Sequence, residues 1–153
     1  MKGSPAVIVE LNKNLEGELT AINQYLLHSG MFRNWGYSEL AKRFMDIAKQ
    51  EREHSEELIT RILFLGGQLT SVTPAIDSTT DVRAILAYDL DLEQSAFQDY
   101  NNAANIAIRE NDNGSRELFT HILAEEEKHI NFFESQIHQI DQIGLENYLA
   151  SQM

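Results

Sequence analysis

The chain has no cysteine, only two prolines and eight glycines in 153 residues, and no basic patch. Without cysteine there is neither a disulfide nor a thiolate metal ligand, a composition that suits a reducing compartment. So few helix breakers leave room for long uninterrupted helices. No apolar run approaches the roughly 18 residues that would span a bilayer. The start, MKGSPAVIVELNKNLEGEL, lacks the apolar core and small-residue cleavage site of a signal peptide, so no membrane association and a cytoplasmic location are expected. Lys and Arg number 12 against 24 Asp and Glu, a formal net charge of −12. That balance argues against binding nucleic acid, whose phosphates need clustered cations, and has the right sign to attract cations.

Apolar residues recur at spacings of three and four, the inward face of helices in a bundle. Four long helices are predicted over about 5–35, 38–66, 81–110 and 113–141, with a short fifth over 145–152. The stripes read Leu11, Leu15, Glu18, Ile22, Tyr25, Phe32, then Leu40, Phe44, Ile47, Glu51, His54, Leu58, Ile62, Leu65. The third and fourth read Leu86, Leu90, Glu93, Phe97, Tyr100, Ala104, then Phe119, Ile122, Glu126, His129, Phe133, Ile137, Ile140. Residues 67–80 are turn-forming and can carry one long crossover between two hairpins. The expectation is one all-α domain over 1–153, an antiparallel four-helix bundle with a short C-terminal fifth helix.

Six polar residues interrupt the stripes: Glu18, Glu51, His54, Glu93, Glu126 and His129. Glu18 to Glu51 is 33 residues and Glu93 to Glu126 is also 33, each pair centred on a predicted turn. Residues equidistant from the turn of an antiparallel hairpin lie side by side, so all four carboxylates fall at one level. At i and i+3, Glu51 with His54 and Glu126 with His129 point the same way. Buried carboxylates without compensation cost several kcal/mol each, and the stripes hold no Lys or Arg. One Glu from each of two helices plus Glu-x-x-His from the other two is the ligand set of di-iron and di-manganese carboxylate bundles. Two divalent ions per subunit, iron or manganese, are therefore expected, held by these six residues. The acids Glu53, Glu56, Glu57, Glu125 and Glu127 fall off the stripe and are expected in solvent. His28, His121 and His138 have no partner at ligand spacing and are expected at the surface or an interface. Tyr25, two turns from Glu18, is a core residue that could also give an electron to the site.

The stretches "MKG", "GELTAINQYLLHSGMFRNWG", "RILFLGG", "DLDLE" and "IGLENYLASQ" resemble bacterioferritin, a ferritin-like family, over nearly the whole chain. The resemblance implies a 24-subunit cage that oxidises Fe(II) with O2 or H2O2 and stores ferric mineral, with a short last helix lining a symmetry axis. It implies that Glu18, Glu51, His54, Glu93, Glu126 and His129 are the ferroxidase ligands, and that a ferredoxin serves as electron donor for iron release. One departure concerns haem b, which the family binds between two subunits through a methionine directly after the first ligand of helix two. Here that position is Arg52, whose guanidinium has no lone pair to offer iron. Met45 is two turns away, about 10 Å by helical rise, and Met31 is read as packing. Haem is therefore not expected from this chain alone, and Arg52 is expected to pair with an acid such as Glu56. The assembly is either a homo-oligomeric cage or a mixed cage with a methionine-bearing, haem-binding subunit. Asp46 is a candidate inner-surface acid. The alternative is a di-iron or di-manganese bundle that destroys peroxide without storage, as rubrerythrin or manganese catalase do. A third reading, a structural subunit without chemistry, conflicts with the complete ligand set.

Overall fold

The computed structural model describes residues 1–70 and 76–153; the expected turn stretch at 67–80, with Pro74, lies partly outside them. Four long helices and a short fifth follow in order: α1 (Pro5–Asn34), α2 (Ser38–Phe64), α3 (Val82–Arg109), α4 (Asn113–Ile143) and α5 (Leu145–Ala150). No strand occurs among the described residues. Proline opens α1 at a position where its missing N–H is not needed. Asp81 caps α3 by accepting from the Ala84 amide, and Asp112 caps α4 by accepting from the Ser115 amide. α4 runs two residues beyond the expected end, because Gly144 is the first residue to leave the helix, at φ +80°.

The first three helices end in one motif. The amides of Tyr37, Gly67 and Asp112 reach back to the carbonyls of Phe32, Ile62 and Ala107 at 2.9, 2.9 and 2.8 Å. The residue just before each, Gly36, Gly66 and Asn111, has positive φ. This Schellman arrangement satisfies carbonyls that a helix end would otherwise leave unpaired.

α1 packs along α2 and α3 along α4, and the two hairpins meet chiefly through α1 against α3 and α2 against α4. Partners on α1 rise in number as those on α3 fall, from Lys13–Asp99 to His28–Asp89, so these helices are antiparallel. The core is two apolar clusters. One gathers Tyr25, Phe32, Phe44, Ile47, Leu86, Phe133 and Ile140, and α5 closes it with Tyr148. The other gathers Leu11, Leu15, Leu58, Ile62, Phe119 and Ile122. Each such side chain contributes about 1.5–3 kcal/mol on burial, so α-helical propensity alone is not what holds the bundle. Ile22 and Phe97, expected on the inward stripes, are half-buried, while Ala21, beside the first stripe, is buried. A stripe read at fixed spacing drifts around a helix of about 30 residues because 3.6 does not divide evenly into it.

Candidate metal centre

Between the two apolar clusters lies a polar layer made of Glu18 on α1, Glu51 and His54 on α2, Glu93 on α3, and Glu126 and His129 on α4. None is more than 4% exposed. His54 Nδ1 lies 3.5 Å from Glu18 Oε1, 3.2 Å from Glu51 Oε2 and 3.3 Å from Glu126 Oε1. His129 Nδ1 lies 2.7 Å from Glu51 Oε1, 3.5 Å from Glu93 Oε2 and 3.6 Å from Glu126 Oε2. Two donor sets result: Glu18, Glu51, His54 and Glu126, and Glu51, Glu93, Glu126 and His129. Within each, the donor atoms lie within 4.8 Å of one another. Glu51 and Glu126 belong to both sets, while Glu18 and Glu93 each belong to one.

These atoms are left wanting a partner. Glu51 Oε1, Glu93 Oε2, Glu126 Oε1 and His129 Nδ1 are buried without a hydrogen bond, although Glu51 Oε1 and His129 Nδ1 approach to 2.7 Å. Such groups cost about 1–3 kcal/mol each when buried, more when charged. Oxygen and imidazole donors in this number suit divalent iron or manganese, so the residues present fit a pair of such ions.

The charge balance differs in one respect from the reading of the stripes, which found no cation on them. The histidines themselves serve. Burial disfavours the His54 imidazolium, but the carboxylates of Glu126, Glu18 and Glu51 outweigh it and push its pKa up to about 12. His129 is pushed well up in the same way, with Glu126, Glu51 and Glu93 overcoming burial. Burial and the neighbouring Glu126 raise Glu93 to about 8, and burial with Glu51 raises Glu18 well above the usual range. Glu126 goes the other way: burial and Glu18 raise it, yet the close approach of Glu93, His129 and His54 holds it below the carboxylate range. Protons thus occupy the electrostatic place of metal ions, and any ion must displace them.

Three outer contacts orient the donors. The Tyr25 hydroxyl donates to Glu93, and the Tyr100 hydroxyl donates to Glu18. Burial, then the nearby carboxylates, push both phenols well above their ordinary pKa, so they stay protonated donors. His129 Nε2 and Gln50 Oε1 are 2.7 Å apart; the amide oxygen accepts the Nε2–H, which leaves Nδ1 facing the carboxylates. Tyr100 stood on its expected stripe without a role at the site, and Gln50 was not expected there. Tyr100 follows Glu93 by seven residues as Tyr25 follows Glu18, a repeat visible in the sequence. Gln50 carries no such mark.

A cavity of about 130 Å³ reaches the layer between α1 and α3, lined by Glu18, Glu93, Glu126, Tyr100 and Asp99. Gly17 also lines it, with open space where a side chain would begin. The Lys13–Asp99 ion pair, at 2.7 Å, stands beside it.

Outside the layer, Glu53, Glu56 and Glu127 are exposed, and Glu57 and Glu125 are half-buried, Glu125 accepting from Lys128 at 2.8 Å. His121 and His138 are exposed. His28 is not a surface residue. It is fully buried, its Nδ1 2.7 Å from Asp89 Oδ2 and its Nε2 2.9 Å from the Gln24 amide. Its partner is on α3, out of reach of any local spacing rule, which is why it read as unpaired. Arg52 is exposed, and its Nε donates to Glu56 Oε1 at 3.1 Å. Asp46 and Met45 line a surface groove with Arg33, Lys42 and Lys49.

A four-helix bundle whose core is divided by four carboxylates and two imidazoles is the architecture of the carboxylate-bridged metal proteins. Residues 8–143 match the ferritin-like domain. The chain is 40% identical to a bacterial ferritin of Synechocystis sp., covering 100% of this chain and 99% of that one. It is 39% identical to a bacterioferritin of Brucella melitensis, covering 97% and 92%, and 37% identical to a bacterial ferritin of Pseudomonas aeruginosa, covering 100% of both. The chain belongs to the ferritin family, among the bacterioferritins and bacterial ferritins.

Proposed function

We propose that the protein stores and detoxifies iron, oxidising Fe(II) to Fe(III) at the polar layer and keeping ferric mineral inside a cage of its own copies. The observation that supports this most is the convergence of Glu18, Glu51, His54, Glu93, Glu126 and His129, with four of their donor atoms buried and unpartnered. Iron is the substrate. Glu51 and Glu126, each common to both donor sets, hold two ions side by side, while Glu18 with His54 and Glu93 with His129 complete one position each. Side-by-side ions give two electrons to O2 or peroxide in one event. Gln50 keeps His129 Nδ1 turned inward, and Tyr25 and Tyr100 fix the two carboxylates that do not bridge. The cavity at Gly17 is the way in for Fe(II), drawn by the acidic surface.

Arg52 supports a cage without haem when this chain assembles alone, and co-assembly with a methionine-bearing subunit when haem is present. Its exposed guanidinium, paired with Glu56, offers nothing to a haem iron. A cytoplasmic site of action, with a ferredoxin-like donor to release iron, completes the reading. The test is anaerobic loading of the metal-free oligomer followed by air. Two Fe(II) per subunit should be oxidised in a fast phase that Glu126→Ala abolishes. A fast phase unchanged by that substitution would move the chemistry elsewhere.

A further inference from the structure

The polar layer carries two phenols in matched places. Tyr25 on α1 donates to Glu93 on α3, and Tyr100 on α3 donates to Glu18 on α1. Each tyrosine lies seven residues after a glutamate of its own helix and bonds the equivalent glutamate of the other helix. The offset of 75 residues that carries Glu18 onto Glu93, Glu51 onto Glu126 and His54 onto His129 also carries Tyr25 onto Tyr100. Both rings are buried, at 0% and 1% exposure. Tyr25 packs against Phe44 and Phe133, and Tyr100 against Phe119, with ring centroids 6.0, 5.9 and 6.3 Å away. The two glutamates they touch are those that belong to a single donor set each.

A phenylalanine would fill the same apolar space; only the hydroxyl needs this position. We propose that Tyr100 gives an electron and a proton to the site, as the counterpart of Tyr25, so that one subunit supplies all four electrons that O2 needs. This rests on the ferroxidase reading above. The balance closes. O2 becomes two waters by taking four electrons and four protons. Two Fe(II) ions supply two electrons as they become Fe(III). Each phenol supplies one electron and one proton, the proton of Tyr100 leaving through the Glu18 carboxylate and that of Tyr25 through Glu93. The remaining two protons come from solvent. The two phenoxyl radicals return to phenols by taking one electron each from the next Fe(II) ions and one proton each from solvent. Without the phenols, two Fe(II) carry O2 only to H2O2, which would escape to react with further Fe(II).

The test uses the intact oligomer loaded with two Fe(II) per subunit without oxygen, mixed with O2 and frozen for electron paramagnetic resonance. Dissolved O2 and released H2O2 are measured alongside. Wild type should show tyrosyl radical at more than one spin per subunit and almost no H2O2. Tyr25→Phe and Tyr100→Phe should each keep about half of the signal. The double variant should lose it and release about one H2O2 per two Fe(II). Both single variants should still take up two Co(II) per subunit, which separates an electron donor from a mere prop for Glu18. The spin count in wild type needs no substitution, and a count at or below one per subunit overturns the proposal. So does a radical that Tyr25→Phe removes entirely and Tyr100→Phe leaves untouched. If wild type consumes no O2, the ferroxidase reading falls and takes the proposal with it; normal consumption without a Tyr100-dependent signal sinks the proposal alone.

Discussion

Glu51 Oε1 lies 2.7 Å from His129 Nδ1, although one residue sits on α2 and the other on α4 of the opposite hairpin. The same carboxylate turns its other oxygen to His54, 3.2 Å away. In the metal-free protein this makes Glu51 the hinge of an ion-pair layer whose positive charge is carried by protons. The native state binds those protons more tightly than the unfolded chain does. His54 would lose its proton near 6.5 when unfolded but holds it to about 12 when folded, so its stabilising contribution is full below 6.5 and is lost as pH rises toward 12. Glu93 keeps a proton up to about 8 that the unfolded chain releases near 4.5, so stability falls across that window too. Metal-free protein should therefore melt lower at pH 9 than at pH 5, and the slope should be shallower in Glu93→Gln. Calorimetry at three pH values checks it; a melting temperature rising steadily from pH 5 to 9 contradicts it.

Divalent ions should reverse that slope. They replace the protons, so Co(II) or Zn(II) should raise the melting temperature more at pH 8 than at pH 6, with protons released on binding. At a free metal concentration of 100 times Kd, the gain per site is about 2.7 kcal/mol. Titration calorimetry in buffers of different ionisation enthalpy counts the protons. Binding with no proton release would mean that the metal sits elsewhere.

Replacing Glu93 by Ala removes a donor from one of the two sets and the partner of the Tyr25 hydroxyl. Fast Fe(II) oxidation should fall by more than about tenfold, since even the outer partners of metal ligands are worth that much. Assembly should persist, because neither apolar cluster is touched. Stopped-flow absorbance gives the rate, and a native rate would exclude Glu93 as a ligand.

The helices and the six polar residues were legible in the sequence because both depend on local periodicity. Glu51 and His54 share a face by their spacing alone, and 33 residues between glutamates fixes a level within a hairpin. What joins the two hairpins was not legible. His28 finds Asp89 across α1 and α3, and Gln50 finds His129 across α2 and α4, contacts that no spacing rule within one helix encodes. The role of the imidazoles as the layer's own cations also needed distances, since it arises from three carboxylates gathered around each Nδ1. Tyr100 lay in plain view on its stripe, but the significance of its hydroxyl came only with Glu18 beside it.

The turn into α4 depends on Asp112. Its carboxylate accepts from the Ser115 amide and hydroxyl and from Arg61 Nη2, at 2.9, 2.7 and 2.8 Å. Burial pushes its pKa up, but these bonds outweigh it and hold it below the usual value. Asp112→Ala should cost about 1–2 kcal/mol, in line with the loss of a strong helix cap. The effect should be present above pH 4 and fade as the pH falls through the folded-state pKa. Denaturant unfolding at pH 7 and pH 3 measures both, and equal losses at the two pH values would contradict the cap's ionic character.

Haem should distinguish this chain from a methionine-bearing relative. A cage of this chain alone, produced with ample haem, should show no Soret band of bis-methionine character. Arg52→Met should gain one at about one haem per two subunits. Its appearance in the unsubstituted cage would overturn the assignment of Arg52.

Storage fed by the polar layer is measured by the iron that the purified, aerobically loaded oligomer holds. Size-exclusion chromatography should place the assembly of 17.4 kDa chains at several hundred kilodaltons. Iron added in small aerobic steps should remain soluble as ferric iron inside it, far beyond two ions per subunit. Saturation at two per subunit, in a particle of only a few chains, would mean a small di-metal enzyme instead of a store.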